Sequence, residues 1–330
     1  MPVGFRTGSS FDPLRLNWDG SGPRPLPWTA WYPTDEKSSA HPLVEKSWFR
    51  KQPVGVNAQI AHADGTLPLV LLSHGTGSTA AGLEWLGFRL AEQGFVALAV
   101  NHHGHTAFEP FRAEGFLCMW ERAKDLTAIL DDPNWRNELR VETGDQIFAA
   151  GFSAGAYTAL LLSGARIAFS QFEPDNPEKS PIRGPREFPN LADKLPKLFK
   201  NPVFRRSWEQ RRSDFSDRRI RAAFAIAPGR SVLGFSQDSL QAINKPVHLI
   251  GGDEDTVAPP DQCCKWLFQN IPDCRYEILT GGVGHYTFLP EGSEIGREAA
   301  PELFMDGAGL DRTAIHDYAA TLAAEFFRST

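Results

Sequence analysis

The chain has 330 residues, of which 42% are hydrophobic, and its formal net charge at pH 7 is −6. This length fits one large α/β domain, because such folds often run past roughly 250 residues as a single unit. The charge is spread along the chain and gives no overall basic field, which excludes the usual electrostatic basis of nucleic-acid binding. We therefore expect no nucleic-acid partner.

The sequence offers no candidate for stable membrane insertion. No apolar run approaches the roughly 20 residues that a helix needs to cross a bilayer. The first ten residues, MPVGFRTGSS, lack the basic and apolar segments of a secretory leader. We expect a cytoplasmic protein, with the reservation that a leader removed upstream would leave the same sequence.

The cysteines do not form the pattern of a disulfide framework. They are few and irregularly spaced, and no C-x-x-C is present. We expect buried thiols, and a bridge between Cys274 and one of its two vicinal neighbours stays open for an oxidising compartment. The four cysteines are Cys118, Cys263, Cys264 and Cys274.

Seven short segments have the pattern of β-strands. The first, residues 24–33, alternates apolar and other residues between prolines, which predicts an antiparallel strand at a sheet edge. The other six are continuous apolar runs, typical of strands buried on both faces of a mostly parallel sheet. They occupy residues 68–73, 95–100, 146–151, 222–228, 246–252 and 275–280.

Segments with helical periodicity lie between and after these strands. Because strands and helices alternate, we predict one α/β domain over residues 1–330 with right-handed crossovers. The predicted helices occupy residues 80–94, 119–132, 156–165 and 312–328.

Residues 166–220 interrupt this alternation. The stretch begins rich in proline and charge, and later Leu191, Leu195 and Leu198 recur on one helical face with Phe199. We interpret it as an insertion that forms a lid. Its basic and aromatic residues suit an anionic substrate or a membrane surface, but we favour a solvated helix whose aromatic side chains pack on the core.

The segment GFSAG at residues 151–155 places Ser153 where a buried strand turns directly into a helix. At such a turn the nucleophile has a strained backbone, and the residues two before and two after it must be very small. Gly151 and Gly155 meet this requirement. The strand before and the helix after favour a catalytic nucleophile over an ordinary turn serine.

A serine nucleophile needs a base that accepts its proton and a carboxylate that orients the base. In G-x-S-x-G hydrolases both follow the serine, the acid first. His285 is the candidate base, since it lies in a glycine-rich loop just after a strand, and His41, His62, His248 and His316 are less suitably placed. The loop after strand 246–252 offers the carboxylates Asp253, Glu254, Asp255 and Asp261.

These motifs resemble the α/β-hydrolase superfamily, and within it the dienelactone hydrolase, platelet-activating-factor acetylhydrolase and bacterial cutinase-like group. The resemblance covers most of the chain outside residues 166–220. It implies an α/β-hydrolase fold, with a mostly parallel central sheet flanked by helices and a lid insertion. Cutinase-type relatives carry the acid in a G-x-x-D-x-x-x-P pattern, which Gly252, Asp255 and Pro259 match. Asp255 is therefore the implied acid, and Asp253 is the alternative.

Two backbone N–H groups should hold the negative oxygen that forms during attack on a carbonyl. One belongs to Ala154, the residue after the nucleophile. The resemblance implies Thr76 for the other, within SHGTGS at residues 73–78. As substrate contacts we expect the side chains His74, His103, Phe152 and Tyr286.

The segment NHHGH at residues 101–105 raises the alternative of a zinc site. A catalytic zinc needs ligands from separate elements, and the sequence contains neither H-x-H-x-D nor H-E-x-x-H. We expect no metal, and instead a turn that carries a substrate-contacting histidine.

These residues together predict a serine hydrolase that cleaves a carboxylic ester or lactone through an acyl-enzyme, without a cofactor. An amidase or peptidase, or an acyltransferase or cyclase, would use the same triad and remains an alternative. A non-catalytic binding protein on this fold is a remote alternative, since such proteins commonly lose a triad member. The expected partner is a small-molecule ester, lactone or amide, and the oligomeric state is open.

Overall fold

The apolar runs of the sequence form the centre of a nine-stranded sheet in the computed structural model, which describes residues 1–37, 47–61, 66–170 and 184–330. Apolar side chains on both sides of a strand favour such a sheet when helices cover its two faces. Within the described residues the strands are β1 Val3–Leu16, β2 Pro23–Pro33, β3 Gly55–Val56, β4 Leu67–Ser73, β5 Val96–Val100, β6 Thr143–Phe152, β7 Ile220–Ile226, β8 Val247–Gly252 and β9 Cys274–Leu279.

The strands lie in the order β3-β1-β2-β5-β4-β6-β7-β8-β9. β2 is antiparallel to both of its neighbours, whereas the six strands from β5 to β9 in this order run parallel. This arrangement confirms the predicted α/β class. The carboxyl ends of parallel strands meet at one sheet edge, so the loops that follow β4, β6, β8 and β9 gather there.

Helices cover both faces of the sheet and separate its buried side chains from solvent. They begin and end at the following residues in the described ranges: α1 Glu84–Glu92, α2 Ala113–Leu117, α3 Glu121–Asp131, α4 Asn134–Leu139, α5 Ala154–Ser163, α6 Leu195–Leu198, α7 Pro202–Glu209, α8 Gln237–Gln241, α9 Cys263–Asn270, α10 Glu294–Ala299 and α11 Arg312–Arg328.

Two hydrophobic cores lie on opposite faces of the sheet, because neighbouring residues of a strand point to opposite sides. Leu69 and Leu71 of β4 enter the core formed with α3, α5 and α9, whereas Val70 and Leu72 enter the core formed with α1 and α11. The four predicted helices correspond to α1, α3, α5 and α11 and are confirmed. In the first of them, residues 80–83 form a 3₁₀ turn rather than α-helix.

The prediction that residues 24–33 form an edge strand is wrong. β2 lies between β1 and β5, and the sequence pattern does not predict β1. β1 lacks a clear apolar face, since Phe11, Leu14 and Leu16 are exposed. β5 pairs with Trp28–Trp31 of β2. The prolines before Trp28 therefore have no described strand on that side, and their sequence pattern resembles that of an edge strand.

The described part of the 166–220 stretch packs on the core beside α3. Trp120 donates its indole N–H to the carbonyl oxygen of Ser207 at 3.1 Å. Phe204, Trp208 and Phe215 are buried, and Phe199 is 38% exposed. Packing of aromatic side chains on the core, the interpretation that we favour for this stretch, is therefore confirmed for Phe204, Trp208 and Phe215.

The cysteines and the helix lengths also bear on the expectations from sequence. All four cysteines are free thiols, and Cys118, Cys263 and Cys264 are buried as expected. Cys274 is half-buried and forms no bridge to either vicinal cysteine. No helix in the described ranges is both long enough and apolar enough to cross a membrane.

Truncation of Leu98 at the centre of the sheet should destabilise the protein much more than the same truncation at the surface. Leu98 is fully buried and Leu14 is 92% exposed. We expect Leu98→Ala to lower the free energy of unfolding by about 2–5 kcal/mol, and Leu14→Ala by less than about 0.5 kcal/mol. Chemical denaturation followed by circular dichroism measures both. Equal losses would contradict the described core.

Candidate active site

Ser153 lies at the sharp turn between β6 and α5 in a strained backbone conformation. Its φ is 55° and its ψ is −113°, a combination that a non-glycine residue rarely adopts. The Ser153 N–H donates to the carbonyl oxygen of Ile226 in β7 at 2.9 Å, which helps to hold the turn. The turn brings the Ser153 side chain to the carboxyl edge of the sheet, where it is 9% exposed.

Close backbone packing explains why glycines flank this turn. A Cβ at Gly155 would lie 1.7 Å from the carbonyl oxygen of Ser73, and one at Gly151 would lie 2.3 Å from the carbonyl carbon of Gly155. Any side chain at either position would therefore push α5 away from β4 or β6. These backbone contacts therefore explain why the GFSAG pattern has glycine at both positions.

His285 and Asp255 form a continuous hydrogen-bonded chain with Ser153. The distance from Ser153 Oγ to His285 Nε2 is 3.0 Å, and that from His285 Nδ1 to Asp255 Oδ2 is 2.7 Å. The other oxygen of Asp255 accepts the N–H of Ala258 at 2.7 Å. A carboxylate at Nδ1 places the ring proton there, so Nε2 faces the Ser153 hydroxyl as an acceptor.

Asp253, the alternative acid, does not contact His285 but organises the loop that carries it. Its carboxylate accepts the N–H groups of Gly281 at 2.9 Å, Gly282 at 3.1 Å and Val283 at 2.8 Å. Desolvation raises the pKa of Asp253, but these backbone donors together lower it below its ordinary value. The structure therefore brings Asp255, and not Asp253, to the histidine.

Side chains of α1 and α11 hold the short 3₁₀ turn His285–Phe288 in place through hydrogen bonds to its backbone. His316 Nε2 donates to the carbonyl oxygen of Thr287 at 2.8 Å, and the indole N–H of Trp85 donates to that of Phe288 at 2.9 Å. The two rings stack with centroids 4.2 Å apart. Burial lowers the pKa of His316 to about 3, so the ring is neutral and serves as a fixed donor.

The backbone N–H groups of Thr76 and Ala154 have no acceptor among the described residues. Ala154 is the first residue of α5, where a helix leaves its N–H groups unsatisfied. Thr76 lies in the loop after β4, which packs against the first turn of α5. Two free donors therefore lie in the loop and helix start next to Ser153, as a developing oxyanion requires.

A cavity of about 690 Å³ opens above Ser153 and His285. Phe152 and Tyr286, two of the expected substrate contacts, line it, and the Phe152 ring lies 4.8 Å from that of His285. The sequence pattern does not predict several apolar lining residues, because they belong to irregular segments in which apolar residues recur with no regular period. They are Trp48, Phe49, Val257, Leu289 and Leu303.

The structure corrects the expectation that His74 and His103 contact substrate, since neither lines this cavity. His74 is fully buried, with Nδ1 bonded to the carbonyl oxygen of Gly75 at 2.8 Å. Burial and the nearby Arg122 charge hold its pKa well below the ordinary value, so the ring is neutral. His103 instead contacts Glu109 and the backbone N–H of Trp18.

The other histidines of NHHGH are also engaged in hydrogen bonds rather than grouped as ligands. His102 contacts Asp125 at 3.1 Å, and His105 accepts from Arg122 at 3.2 Å. Among the residues that the structure describes, no three His, Cys, Asp or Glu side chains are grouped as a metal site would need. His41 and His62 lie outside the described residues.

Of the predicted lid, only Pro185, Arg186 and Glu187 line the cavity in the described residues. α7 lies elsewhere, since its cap Asn201 donates to the carbonyl oxygen of Trp18 at 2.7 Å. The lid itself stays a prediction, and its residues 171–183 lie outside the described part of the chain.

The contact at Gly155 generates a stability prediction with a matched control. Gly155→Ala should lower the free energy of unfolding by about 1–3 kcal/mol, because the added methyl group overpacks the contact with Ser73. This loss should occur although alanine is more favourable than glycine inside a helix by about 1 kcal/mol. Gly22→Ala should change it by less than about 0.5 kcal/mol, because its Cβ would meet nothing within 4 Å. Urea denaturation compares the two. A Gly155→Ala protein as stable as wild type would contradict the described contact.

Comparison with solved structures shows the same fold in two hydrolases. A ferulic acid esterase from Streptomyces cinnamoneus superposes with a TM-score of 0.64 and 21% identity over 99% of this chain and 89% of its own. A puromycin-hydrolyzing peptidase from Mycobacterium tuberculosis gives a TM-score of 0.52 and 13% identity, over 98% of this chain and 39% of its own.

The sequence comparisons identify the family. No functionally curated protein matches the chain. The sequence profile of the alpha/beta hydrolase family matches residues 69–297, which is more than half of the chain and includes Ser153, Asp255 and His285. The chain therefore belongs to the alpha/beta hydrolase family.

Proposed function

We propose that this hydrolase cleaves a carboxylic ester or lactone through an acyl-enzyme on Ser153. The observation that carries the proposal is the unbroken chain from Ser153 through His285 to Asp255, beside the free N–H groups of Thr76 and Ala154. The motifs shared with the dienelactone hydrolase, platelet-activating-factor acetylhydrolase and cutinase-like group support the same assignment. The cytoplasmic location stays a prediction.

In the first half of the reaction, Ser153 Oγ attacks the substrate carbonyl carbon while His285 Nε2 accepts the hydroxyl proton. Asp255 holds the ring in the correct tautomer and stabilises the imidazolium that forms. The carbonyl oxygen becomes negative and is held by the N–H groups of Thr76 and Ala154. Collapse of this intermediate breaks the ester bond, and His285 returns its proton to the leaving alcohol.

In the second half, water replaces the alcohol. His285 accepts a proton from the water, whose oxygen attacks the acyl carbon, and the same two N–H groups hold the second oxyanion. His285 then returns the proton to Ser153 as the carboxylic acid leaves. The free enzyme is regenerated, so the cycle consumes one water and needs no cofactor.

The cavity lining supports an apolar acyl or leaving group. Trp48, Phe49, Phe152 and Tyr286 offer aromatic surface next to Ser153, and Leu289 and Leu303 complete an apolar wall. A cavity of this size suits a small organic molecule. The fold shared with a ferulic acid esterase is consistent with an ester, whereas the peptidase neighbour keeps the amide alternative open.

Replacement of Ser153 should abolish turnover without loss of the fold. We expect Ser153→Ala to lower kcat for p-nitrophenyl esters by about 10⁴-fold or more, since removal of a triad member leaves only the contribution of the oxyanion donors and binding. Ser163→Ala is the matched control, because Ser163 is buried in the same helix and its hydroxyl bonds, within the described part of the chain, only to the carbonyl oxygen of Ala159. Initial rates on acyl chains of increasing length measure both effects.

Retained ester turnover in Ser153→Ala would overturn the assignment of the nucleophile. Matching p-nitroanilides, run beside the esters, separate the ester proposal from the amidase alternative. Faster turnover of the anilides would favour the amidase, with the same triad.

The two aspartates of the loop after β8 should behave differently. Asp255→Asn removes the carboxylate at His285 Nδ1 and should lower kcat by about 10⁴-fold. Asp253→Asn acts only through the loop 281–283 and should lower kcat by less than about tenfold. Steady-state kinetics at pH 7 tests both. A larger loss in Asp253→Asn would make Asp253 the acid.

A further inference from the structure

Arg122, in the first turn of α3, lies behind the loop that presents the Thr76 N–H. Its side chain is 1% exposed. Nη2 donates to the carbonyl oxygen of His74 and to Ser73 Oγ, the latter at 3.1 Å. Because these residues directly precede Gly75 and Thr76, the guanidinium fixes the backbone from which the Thr76 N–H projects.

The same guanidinium also reaches the nucleophile helix. Nε donates to Thr158 Oγ1 at 3.1 Å, and the Thr158 hydroxyl donates to the carbonyl oxygen of Ala154 at 3.0 Å. Thr158 lies one turn after Ala154, so these bonds link Arg122 to the first turn of α5. The guanidinium is planar with donors in fixed directions, and it therefore constrains the distance between the two segments.

The Ser73 hydroxyl is oriented by a buried relay behind the loop. Asp125 contacts His102 Nδ1 at 3.1 Å, and His102 Nε2 lies 2.9 Å from Ser73 Oγ. Burial and the neighbouring Arg122 charge lower the pKa of His102 to about 4, so the ring is neutral at pH 7. The carboxylate therefore selects the Nδ1–H tautomer, and Ser73 donates to Nε2 while it accepts from Arg122.

Arg122 has no carboxylate partner among its described hydrogen bonds, which go to neutral groups only. The nearby Asp125 is bonded instead to Arg15, Arg24 and His102. Burial lowers the pKa of Arg122 to about 9, partly offset by the charge of Asp125, and the guanidinium stays charged at neutral pH. A buried charge without a direct partner is costly, and stability alone would favour an apolar side chain here.

We propose that Arg122 is a positioning residue that fixes the positions of the Thr76 and Ala154 N–H donors relative to each other and places a positive charge behind them. The charge would lower the energy of a negative oxygen in front of the donors, and the two hydrogen-bonded links would keep both donors aimed at that oxygen. Arg122 itself does not line the cavity above Ser153. This inference rests on the proposed hydrolase function.

The test compares four variants by steady-state kinetics on one short-chain p-nitrophenyl ester, with circular dichroism to show that each is folded. Arg122→Gln removes the charge, and Arg122→Lys keeps the charge but lacks the planar guanidinium that donates to both segments. Thr158→Val breaks the link from Arg122 to α5 and keeps the charge. Thr34→Val is the matched control, because Thr34 is fully buried and its hydroxyl donates to the carbonyl oxygen of Gln59. β2 runs antiparallel to β5, with its first half at the carboxyl end of β5, as the pairing of Trp28 with Val100 shows. Thr34, which follows β2, therefore lies at the amino ends of the parallel strands, away from Ser153.

We expect Arg122→Gln to lower kcat by about 10²-fold, the loss seen when one oxyanion donor is removed. KM should stay within about threefold, since the donors act in the transition state rather than in substrate binding. Arg122→Lys should lie between Arg122→Gln and wild type. Thr158→Val should lower kcat about fivefold, because it removes the hydroxyl that joins Arg122 Nε to the carbonyl oxygen of Ala154, and Thr34→Val should stay within about twofold.

A folded Arg122→Gln protein with kcat within about twofold of wild type would overturn the inference, and so would a rise in KM alone. If Arg122→Gln does not fold, the comparison of Thr158→Val with Thr34→Val tests the inference instead. Equal kcat values in these two variants would overturn the inference. Wild-type turnover reports separately on the proposed function. Absent ester turnover in wild type would refute the hydrolase proposal itself, whereas an active wild type with unaffected variants would refute only the role of Arg122.

Discussion

The first turn of α5 lies so close to the carbonyl oxygen of Ser73 that no side chain fits at Gly155, and the rest of the site depends on this contact. It forces Ser153 into its strained turn and brings the N–H of Ala154 near the loop that carries Thr76. Strain at one residue is tolerated because the surrounding sheet and helix over-determine the backbone. The nucleophile and both donors are thus positioned by backbone packing, before any substrate binds.

The base and the acid reach this point through separate supports. Asp253 accepts three N–H groups of the loop before His285, and His316 and Trp85 hold the carbonyl oxygens after it. The supports come from the loop after β8, from α1 and from α11, which lie far apart in the sequence. A loop would otherwise be mobile at a sheet edge, so these bonds keep His285 within hydrogen-bond distance of Ser153.

Much of the fold and the triad order could be predicted from the sequence, because buried parallel strands are continuous apolar runs and the glycine-flanked serine has a local signature. β1 could not, since its exposed Phe11, Leu14 and Leu16 mask its alternation. Trp48, Phe49 and Arg122 were missed because their roles arise from contacts between distant segments. The expectation that His74 and His103 contact substrate was wrong for the same reason, because the His74 ring packs against His102 and the His103 ring bonds to Trp18, which lie far from them in the chain.

The most direct test of a catalytic Ser153 is to treat the intact protein with a fluorophosphonate and locate the adduct by peptide mass spectrometry. Such a reagent captures a serine only when a base activates it and an oxyanion site accepts the phosphoryl oxygen. The predicted result is one adduct per chain, on Ser153, and no adduct when the protein is denatured before the reagent is added. An unlabelled Ser153, or a stoichiometric adduct on another residue, would contradict the proposed mechanism.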